Sequence, residues 1–349
     1  MLRYLPPVRW RIRGAMMDFR ESFHTAVTDS QSHFADFVRN STSEMLRKQL
    51  PNHPDLWGKL TPDYAPGCKR VIICDDYYPS LANPKTRLVT THDNPIRRIT
   101  ETGIELKDGT HHTHTTIVLA TGFRTIDFFS PMKITGTRHR SLHADIWAAS
   151  SGPEALYGTT IPCLPNFGTL YGPNTNLGHN SIILMIEAQS RYLSTIVSAV
   201  LDARQRGPRI ALMPKAQRTR EYNDRVQAEL QKSSFADPAC TSWYKNKEGK
   251  ITQNWSGTVI EFQEMMSKVD WEDYETIDGG LGADKMQAGV SASKVVFGTG
   301  KRESRIGRVH EETVVSNTTL VVGLLGALGA GAAWVCRENV VKALGWKKR

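Results

Sequence analysis

Apolar residues recur at helical spacing through the first sixty positions of the chain. Phe19, Phe23 and Val27 fall mostly on one side of a helix, and Phe34 and Phe37 continue the pattern. Helix breakers follow at positions 51, 54, 62 and 66, which are all proline. The pattern predicts a helical packing subdomain over residues 1–66. A mitochondrial presequence is the alternative, because the first seventeen residues hold four arginines and no acidic residue.

From Lys69 onwards the pattern changes to short runs of β-branched residues. These runs predict strands at residues 70–74, 86–90, 99–106 and 115–120. The Asp108-Gly109 pair predicts a hairpin turn between the last two. From Ile117 the fourth run is continuously apolar, and it leads into Thr121-Gly122. That ending is typical of a buried parallel strand that leads to a cofactor crevice.

A longer helix and a polar segment follow in the second half. Residues 181–204 predict a helix that Pro208 ends. Its predicted buried stripe consists of Ile183, Ile186, Tyr192, Ile196, Val197 and Val200. Residues 279–312 are rich in Gly, Ser, Lys and Arg without periodicity, so we expect a flexible linker there.

The run from Thr313 to Cys336 contains no charged residue. Its seventeen-residue apolar core, 320–336, nearly spans a hydrocarbon layer of about 30 Å at about 1.5 Å per residue. We therefore expect a transmembrane helix over 313–336, a basic tail over 337–349, and a tail-anchored protein with its main domain in the cytosol. A Gly/Ala-rich core helix is the alternative.

Composition and charge narrow the function classes. The chain is 40% hydrophobic and 23% charged, which permits a sizeable core and argues against disorder throughout. The net charge of +9 suits a protein that handles a phosphorylated dinucleotide or touches an anionic membrane. No zinc-finger, helix-turn-helix or RNP pattern accompanies it, so nucleic-acid binding is not expected.

The cysteines, histidines and aspartates of the chain do not form a recognisable metal-binding or disulfide pattern. The five cysteines are an odd number without CxxC spacing, which predicts neither zinc nor a disulfide framework and favours a reducing, intracellular compartment. His111, His112 and His114 follow a turn and are expected to face solvent, so no metal site is predicted. Asp75 and Asp76 follow the predicted strand 70–74 directly, and adjacent residues of an extended chain point to opposite faces, so no carboxylate dyad is expected.

Several longer motifs occur in a distinctive order. Residues 59–81 read KLTPDYAPGCKRVIICDDYYPSL, and Leu119-Ala-Thr-Gly-Phe123 follows. Pro165-Asn-Phe-Gly168, Tyr171-Gly-Pro-Asn174 and Cys240-Thr-Ser-Trp-Tyr244 come next. This series strongly resembles the type I Baeyer–Villiger monooxygenases, a family of flavin-containing enzymes, and the resemblance covers roughly residues 1–265.

The resemblance implies an α/β fold in which an NADPH-binding domain is inserted into an FAD-binding domain. Residues 67–123 would be the C-terminal part of the NADPH domain with an ATG-type linker, and 124–278 the C-terminal half of the FAD domain. The chain contains no G-x-G-x-x-G followed by an acidic ribose partner. We therefore expect an incomplete two-dinucleotide-domain fold whose N-terminal FAD-binding half is missing, and weak FAD binding by this chain alone.

The resemblance also implies the chemistry and the residues that carry it. FAD and NADPH would be the cofactors, and a C4a-peroxyflavin would oxygenate a ketone or heteroatom of a small organic substrate with O2. Arg70 would be the catalytic residue, because its fixed cationic fork can stabilise the peroxide anion. The predicted cofactor-binding residues are Lys69, Gly172, Pro173, Asn174, Asn180, Ser181, Ile182 and Trp243. Ordinary packing or surface roles remain the alternative for each of these eight.

Two functions follow from these observations. The first is an FAD- and NADPH-dependent monooxygenase that is active only within a longer chain or with a complementing partner. The second is a non-catalytic, membrane-tethered remnant of such an enzyme. A short-chain dehydrogenase is excluded, because neither its glycine loop nor a Tyr-x-x-x-Lys motif with a serine partner is present.

Overall fold

The computed structural model describes residues 6–92, 94–206, 209–278, 290–291 and Gly326. It begins with four helices: α1 (Pro6–Thr28), α2 (His33–Gln49), α3 (Pro54–Leu60) and α4 (Tyr77–Leu81). The Ser32 side chain caps α2 by accepting a hydrogen bond from the backbone N–H of Ala35 at 3.1 Å. The predicted helical character of residues 1–66 is confirmed over the described part.

Aromatic rings join α1 to α2. Phe23 lies between Phe19 and Phe34, with ring centroids 5.2 and 4.8 Å away in edge-to-face geometry. Val27 is buried, whereas Phe19 and Phe37 remain exposed. The predicted apolar face of α1 and α2 therefore forms, but Phe19 and Phe37 at its two ends are exposed to solvent.

The next segment forms one small antiparallel sheet, in which β1 (Ile96–Thr100), β2 (Gly103–Leu106) and β3 (His111–Thr113) pair in chain order. The predicted strand 99–106 is thus two strands joined by a tight turn. The Asp108-Gly109 hairpin is present, with Gly109 at φ 87°, but it leads to β3 rather than to 115–120.

Three predicted strands, 70–74, 86–90 and 115–120, are irregular segments without strand pairing. Ile72 and Ile73 are 82% and 94% exposed, and Val118 is 84% exposed. A parallel strand forms only beside neighbours that accept and donate its backbone hydrogen bonds. The described residues place no strand next to these runs, so the sequence pattern alone does not make them strands.

The largest core lies in the C-terminal lobe. It is formed by α5 (Ile182–Gln205), α6 (Ala216–Leu230) and α7 (Val259–Met265), together with the antiparallel sheet of β4 (Ile210–Pro214), β5 (Tyr274–Asp278) and β6 (Val290–Ser291). Tyr192 and Tyr274 are fully buried here, with hydroxyls 2.9 Å apart.

Helix α5 matches its predicted bounds, but its buried stripe differs. Tyr192 and Ile196 are buried as predicted, whereas Ile183 and Val197 are more than half exposed. The other buried positions are taken by Met185, Gln189 and three alanines, Ala188, Ala199 and Ala203. The predicted stop at Pro208 lies outside the described residues.

Between β3 and α5 the chain is mostly irregular. It contains short 3-10 turns at Thr137–His139 and Ala148–Ser150 and a π-helical turn at Leu142–Trp147. Trp147 is buried in a second core cluster with Leu142, Ala155, Ile161 and Leu164. A further 3-10 turn, Ser234–Ala236, follows α6, and another, Trp271–Asp273, precedes β5.

The prediction of no disulfide framework is wrong. Cys68 and Cys240 form a disulfide, with Cα atoms 6.4 Å apart and a sequence separation of 172. Both cysteines are buried. Cysteine number and local spacing carry no information about a bridge between such distant segments, which explains the error.

Within the described residues, no helix has the length and apolar character required to cross a membrane. The predicted linker 279–312 lies outside them apart from residues 290–291, and the predicted transmembrane helix 313–336 apart from Gly326. The predicted basic tail 337–349 lies outside them as well.

Candidate active site

A cavity of about 580 Å³ lies between α1, the 66–73 segment and the residues just before α5. Arg70 lines it together with Phe19 and Phe23 of α1 and with His179 and Asn180. The remaining walls are mainly apolar, and the volume lies within the range of about 300–1,000 Å³ that is typical of small-molecule and cofactor sites. This is the candidate functional site.

Arg70 brings a positive charge to this cavity. Its side chain is exposed and has no ion-pair partner among the residues that the structure describes. Burial raises the pKa of the Tyr171 and Tyr244 phenols, and the charge of Arg70 opposes that rise in both. A guanidinium without a carboxylate partner can interact with negative charge that develops on a bound molecule.

The N-terminus of α5 begins next to the cavity. Ser181 is the N-cap residue, with extended backbone angles of φ −79° and ψ 118°, but its side chain caps no backbone N–H. The Asn180 side-chain oxygen accepts a hydrogen bond from the N–H of Ser181 at 2.7 Å. Ile182 is the first helical residue. The positive end of a 24-residue helix therefore lies beside the cavity wall at Asn180.

The carboxylate of Glu21 on α1 holds the junction between Asn180 and α5 in place. Asn180 donates to the Glu21 carboxylate, and the N–H of Val259 donates to the same group at 3.1 Å. His179 Nε2 lies 3.7 Å from Glu21 Oε1. Burial raises the pKa of Glu21, but the interactions with His179, Asn180 and Val259 outweigh it, so the net pKa is below its ordinary value.

None of the residues 171–176 lines the cavity, and the nearest lining residue along the chain is Leu177. Asn174 is buried with φ 57°, and its amide donates to the carbonyls of Ile251 at 2.7 Å and Asn254 at 2.9 Å. Gly172 is also buried, and a Cβ at this position would meet the carbonyl oxygen of Gly158. Pro173 lies buried between Gly172 and Asn174. The described contacts of Gly172 and Asn174 are with other parts of the protein.

The two remaining predicted residues lie on the surface. The Lys69 ammonium is 4.6 Å from the centroid of the Tyr64 ring, and Lys69 does not line the cavity. Trp243 is 41% exposed, and its ring centroid is 4.5 Å from that of Tyr244. Trp243 does not line the cavity either.

The structure thus brings Arg70 and Asn180 into one cavity and places Ser181 and Ile182 directly behind it. Sequence reasoning did not identify Glu21 or His179 as neighbours of this site. The amphipathic pattern of α1 can be recognised in the sequence. A single glutamate on its polar face, however, does not indicate that its partner is Asn180, 159 residues further along the chain. Cofactor contacts of the eight predicted residues stay predictions.

No family model matches the chain. Among curated proteins, the chain is 45% identical over 334 residues to the FAD-binding monooxygenase ktnD of Aspergillus niger, a match that covers 96% of this chain and 51% of that protein. It is 35% identical over 275 residues to a Baeyer–Villiger monooxygenase of Streptomyces coelicolor, which covers 79% of this chain and 51% of the relative.

Among solved structures, the chain is similar to an oxidised steroid monooxygenase bound to NADP. The TM-score is 0.62 at 25% sequence identity, over 73% of this chain and 47% of that one. The chain spans about half the length of the curated relatives it matches, and the matched half is their C-terminal portion. The chain is thus similar to the C-terminal portion of flavin-dependent, Baeyer–Villiger-type monooxygenases and shares their α/β fold.

Proposed function

We propose that this chain carries the oxygenation site of an FAD- and NADPH-dependent monooxygenase that acts on a small organic ketone, sulfide or amine. The overall reaction consumes one substrate, O2, NADPH and a proton, and yields the oxygenated product, NADP+ and water. The observation that carries the proposal is the unpaired Arg70 guanidinium at a mainly apolar cavity beside the N-terminus of α5.

The cavity fits one end of a flavin better than a whole dinucleotide. Its apolar walls suit a flat aromatic ring, and the uncapped N–H groups at the start of α5 suit negative charge on that ring. No G-x-G-x-x-G loop occurs in the chain, so these residues do not supply the usual phosphate contacts. Ring binding by Asn180, Ser181 and Ile182 is therefore the part of the proposal that this chain supports.

When bound, FAD supplies activated oxygen with electrons from NADPH. The residues of this chain then have separate roles. Arg70 stabilises negative charge at the reacting oxygen, since its planar guanidinium presents a fork of N–H donors to that charge. Asn180 is held by Glu21 and orients the start of α5. Phe19 and Phe23 limit the access of water from the side of α1.

The other predicted contacts and boundaries belong to the same proposal. Lys69 and Trp243 would contact NADPH, and Gly172, Pro173 and Asn174 would shape the loop that leads to the flavin edge. The chain would divide into a helical subdomain at 1–66, part of an NADPH domain at 67–123 and half of an FAD domain at 124–278. A transmembrane helix over 313–336, with the main domain in the cytosol, completes the proposal.

The test supplies the missing part from a relative. The chain is fused to the N-terminal half of the Aspergillus niger monooxygenase and given NADPH and a panel of ketones and sulfides under 18O2. We expect FAD to be retained after gel filtration and one 18O atom to appear in the product. The chain alone should retain little FAD. A fusion that binds FAD and oxidises NADPH but oxygenates no compound would instead favour the non-catalytic remnant.

A further inference from the structure

The chain next to Arg70 has few attachments of its own. Between Cys68 and Asp76, the backbone makes no hydrogen bond to other described backbone groups, and Val71, Ile72 and Ile73 are all more than half exposed. The last fixed point before Arg70 is therefore Cys68, two residues earlier. The contacts that hold Cys68 in place therefore also determine the position of the Arg70 backbone.

Two connections hold Cys68 to the C-terminal lobe. The first is the buried disulfide to Cys240, which lies three residues before Trp243. The second is a hydrogen bond from the N–H of Ala65 to Asp237 Oδ2 at 2.7 Å. Cys68 N–H also donates to the carbonyl of Ala65 at 3.2 Å, so both connections act on one short turn.

Asp237 also holds its own turn, residues 237–240, in place through hydrogen bonds. Its Oδ1 accepts from the N–H of Ala239 at 2.9 Å, and its backbone carbonyl accepts from Cys240 N at 3.1 Å and from Lys245 Nζ at 2.8 Å. One carboxylate therefore joins the 65–68 turn to the 237–240 turn. Gly67 allows the 65–68 turn to approach α1 closely, because it has φ +82° and a Cβ there would clash with Val27.

We propose that Cys68, Cys240 and Asp237 form a positioning clamp that fixes Arg70 relative to Trp243 and Tyr244, and that the clamp opens when the disulfide is reduced. Its effect on oxygenation rests on the proposed function. A dithiol opens the clamp by donating two electrons and two protons, which convert the disulfide into two thiols while the dithiol becomes a disulfide itself. In a reducing compartment the open form would be favoured.

The covalent part is tested by peptide mapping of the full chain without reductant. Trypsin cuts after Lys59, Lys69, Lys232 and Lys245, so a closed clamp joins peptide 60–69 to peptide 233–245. We expect this joined peptide in the parent protein and in the matched control Cys163→Ser, whose cysteine is not part of the bridge. Its absence from air-purified protein would overturn the proposal.

The positioning part is tested without relying on activity. The folded chain is reduced with dithiothreitol, alkylated, freed of reductant, and then cut briefly with trypsin. We expect cleavage after Lys69 and Arg70 to become at least tenfold faster, because the segment loses its anchor. The double variant Cys68→Ser/Cys240→Ser should be cut at the fast rate with or without dithiothreitol. Equal cleavage rates before and after reduction would contradict the clamp.

The fusion enzyme described above provides the functional readout. Opening the clamp should lower the product formed per NADPH consumed at least fivefold, with FAD content unchanged, and reoxidation should restore the ratio in the parent but not in the double variant. Asp237→Asn should lower the ratio less than Asp237→Ala. A ratio that reduction leaves unchanged would overturn the clamp. If the oxidised fusion forms no product, the proposed function fails while the peptide and cleavage results still decide the clamp.

Discussion

At the scale of single residues, the most informative group is the set of polar side chains behind the cavity wall. Glu21 and His24 lie one turn apart on α1, and the His24 ring is 5.1 Å from that of His179. Burial, reinforced by the nearby His179, lowers the pKa of His24 from its ordinary value of 6.5. The pKa of Glu21 is also lowered on balance. Both residues therefore make stability depend on pH in the acidic range.

We predict that the chain loses stability in two steps as the pH falls. A histidine with a lowered folded-state pKa is protonated first in the unfolded chain, so stability decreases from about pH 6.5 downwards. The contribution of Glu21 is fully present above its ordinary pKa of 4.5 and is lost as the pH falls through its lower folded value. Urea unfolding between pH 7.5 and 3.5 measures both steps.

Two variants separate these contributions. His24→Gln should flatten the first step, and Glu21→Gln should flatten the second and lower the unfolding free energy at pH 7 by about 1–3 kcal/mol. His33→Gln, at an exposed histidine, is the matched control and should leave both steps in place. An unchanged pH profile in the Glu21 and His24 variants would show that this group does not couple folding to protonation.

The residue scale also shows what the sequence could predict. Arg70 and Asn180 followed from the order of motifs, and the structure places both at one cavity. The Cys68–Cys240 bridge and the Glu21–Asn180 contact could not be predicted, because each joins segments more than 150 residues apart without a local pattern. Tertiary contacts of this kind depend on the whole fold.

At the scale of elements, the N-terminal helices and α5 were predicted, α4, α6 and α7 were not, and three predicted strands do not form. A helix satisfies its own backbone, so the 181–204 pattern was sufficient to predict α5. The 70–74, 86–90 and 115–120 runs have strand-like composition, but a strand needs neighbours, and the described chain supplies none beside them. We infer that these runs would pair only beside strands of an N-terminal half such as the relatives have.

This inference gives a prediction for Ile73, which is 94% exposed. Ile73→Ser should change the unfolding free energy of the chain alone by no more than about 0.5 kcal/mol. In the fusion enzyme the same change should cost about 1.5–3 kcal/mol, because the side chain becomes buried. Urea denaturation of both proteins measures the difference.

Ile251→Ser is the matched control for this comparison, since Ile251 is fully buried in the C-terminal lobe. It should destabilise the chain and the fusion by similar amounts. If Ile73→Ser has the same small effect in both proteins, the 70–74 run does not become a buried strand.

At the scale of the whole molecule, the described residues contain a helical N-terminal part, a small sheet and a larger C-terminal lobe around one core. The family and the α/β class could be predicted from the ordered motifs. The absence of a G-x-G-x-x-G loop could also be read from the sequence. This absence agrees with the finding that the chain matches about half of the length of each relative.

The predicted membrane anchor also belongs to this scale. Carbonate extraction should leave the full chain in the membrane pellet, because the run 313–336 has no charge and is close to the length of a bilayer span. A chain without residues 313–349 should be released. Release of both proteins to the supernatant would mean that the run is not a membrane span.

The central claim is that the Arg70 guanidinium acts on the oxygen that is transferred. The most direct measurement is the amount of oxygenated product per NADPH consumed by the fusion enzyme, compared among the parent, Arg70→Ala and the matched control Arg39→Ala. We predict that Arg70→Ala keeps its FAD and still consumes NADPH but forms at least a hundredfold less product, while Arg39→Ala behaves like the parent. Product formation by Arg70→Ala at the parental rate and ratio would contradict the account.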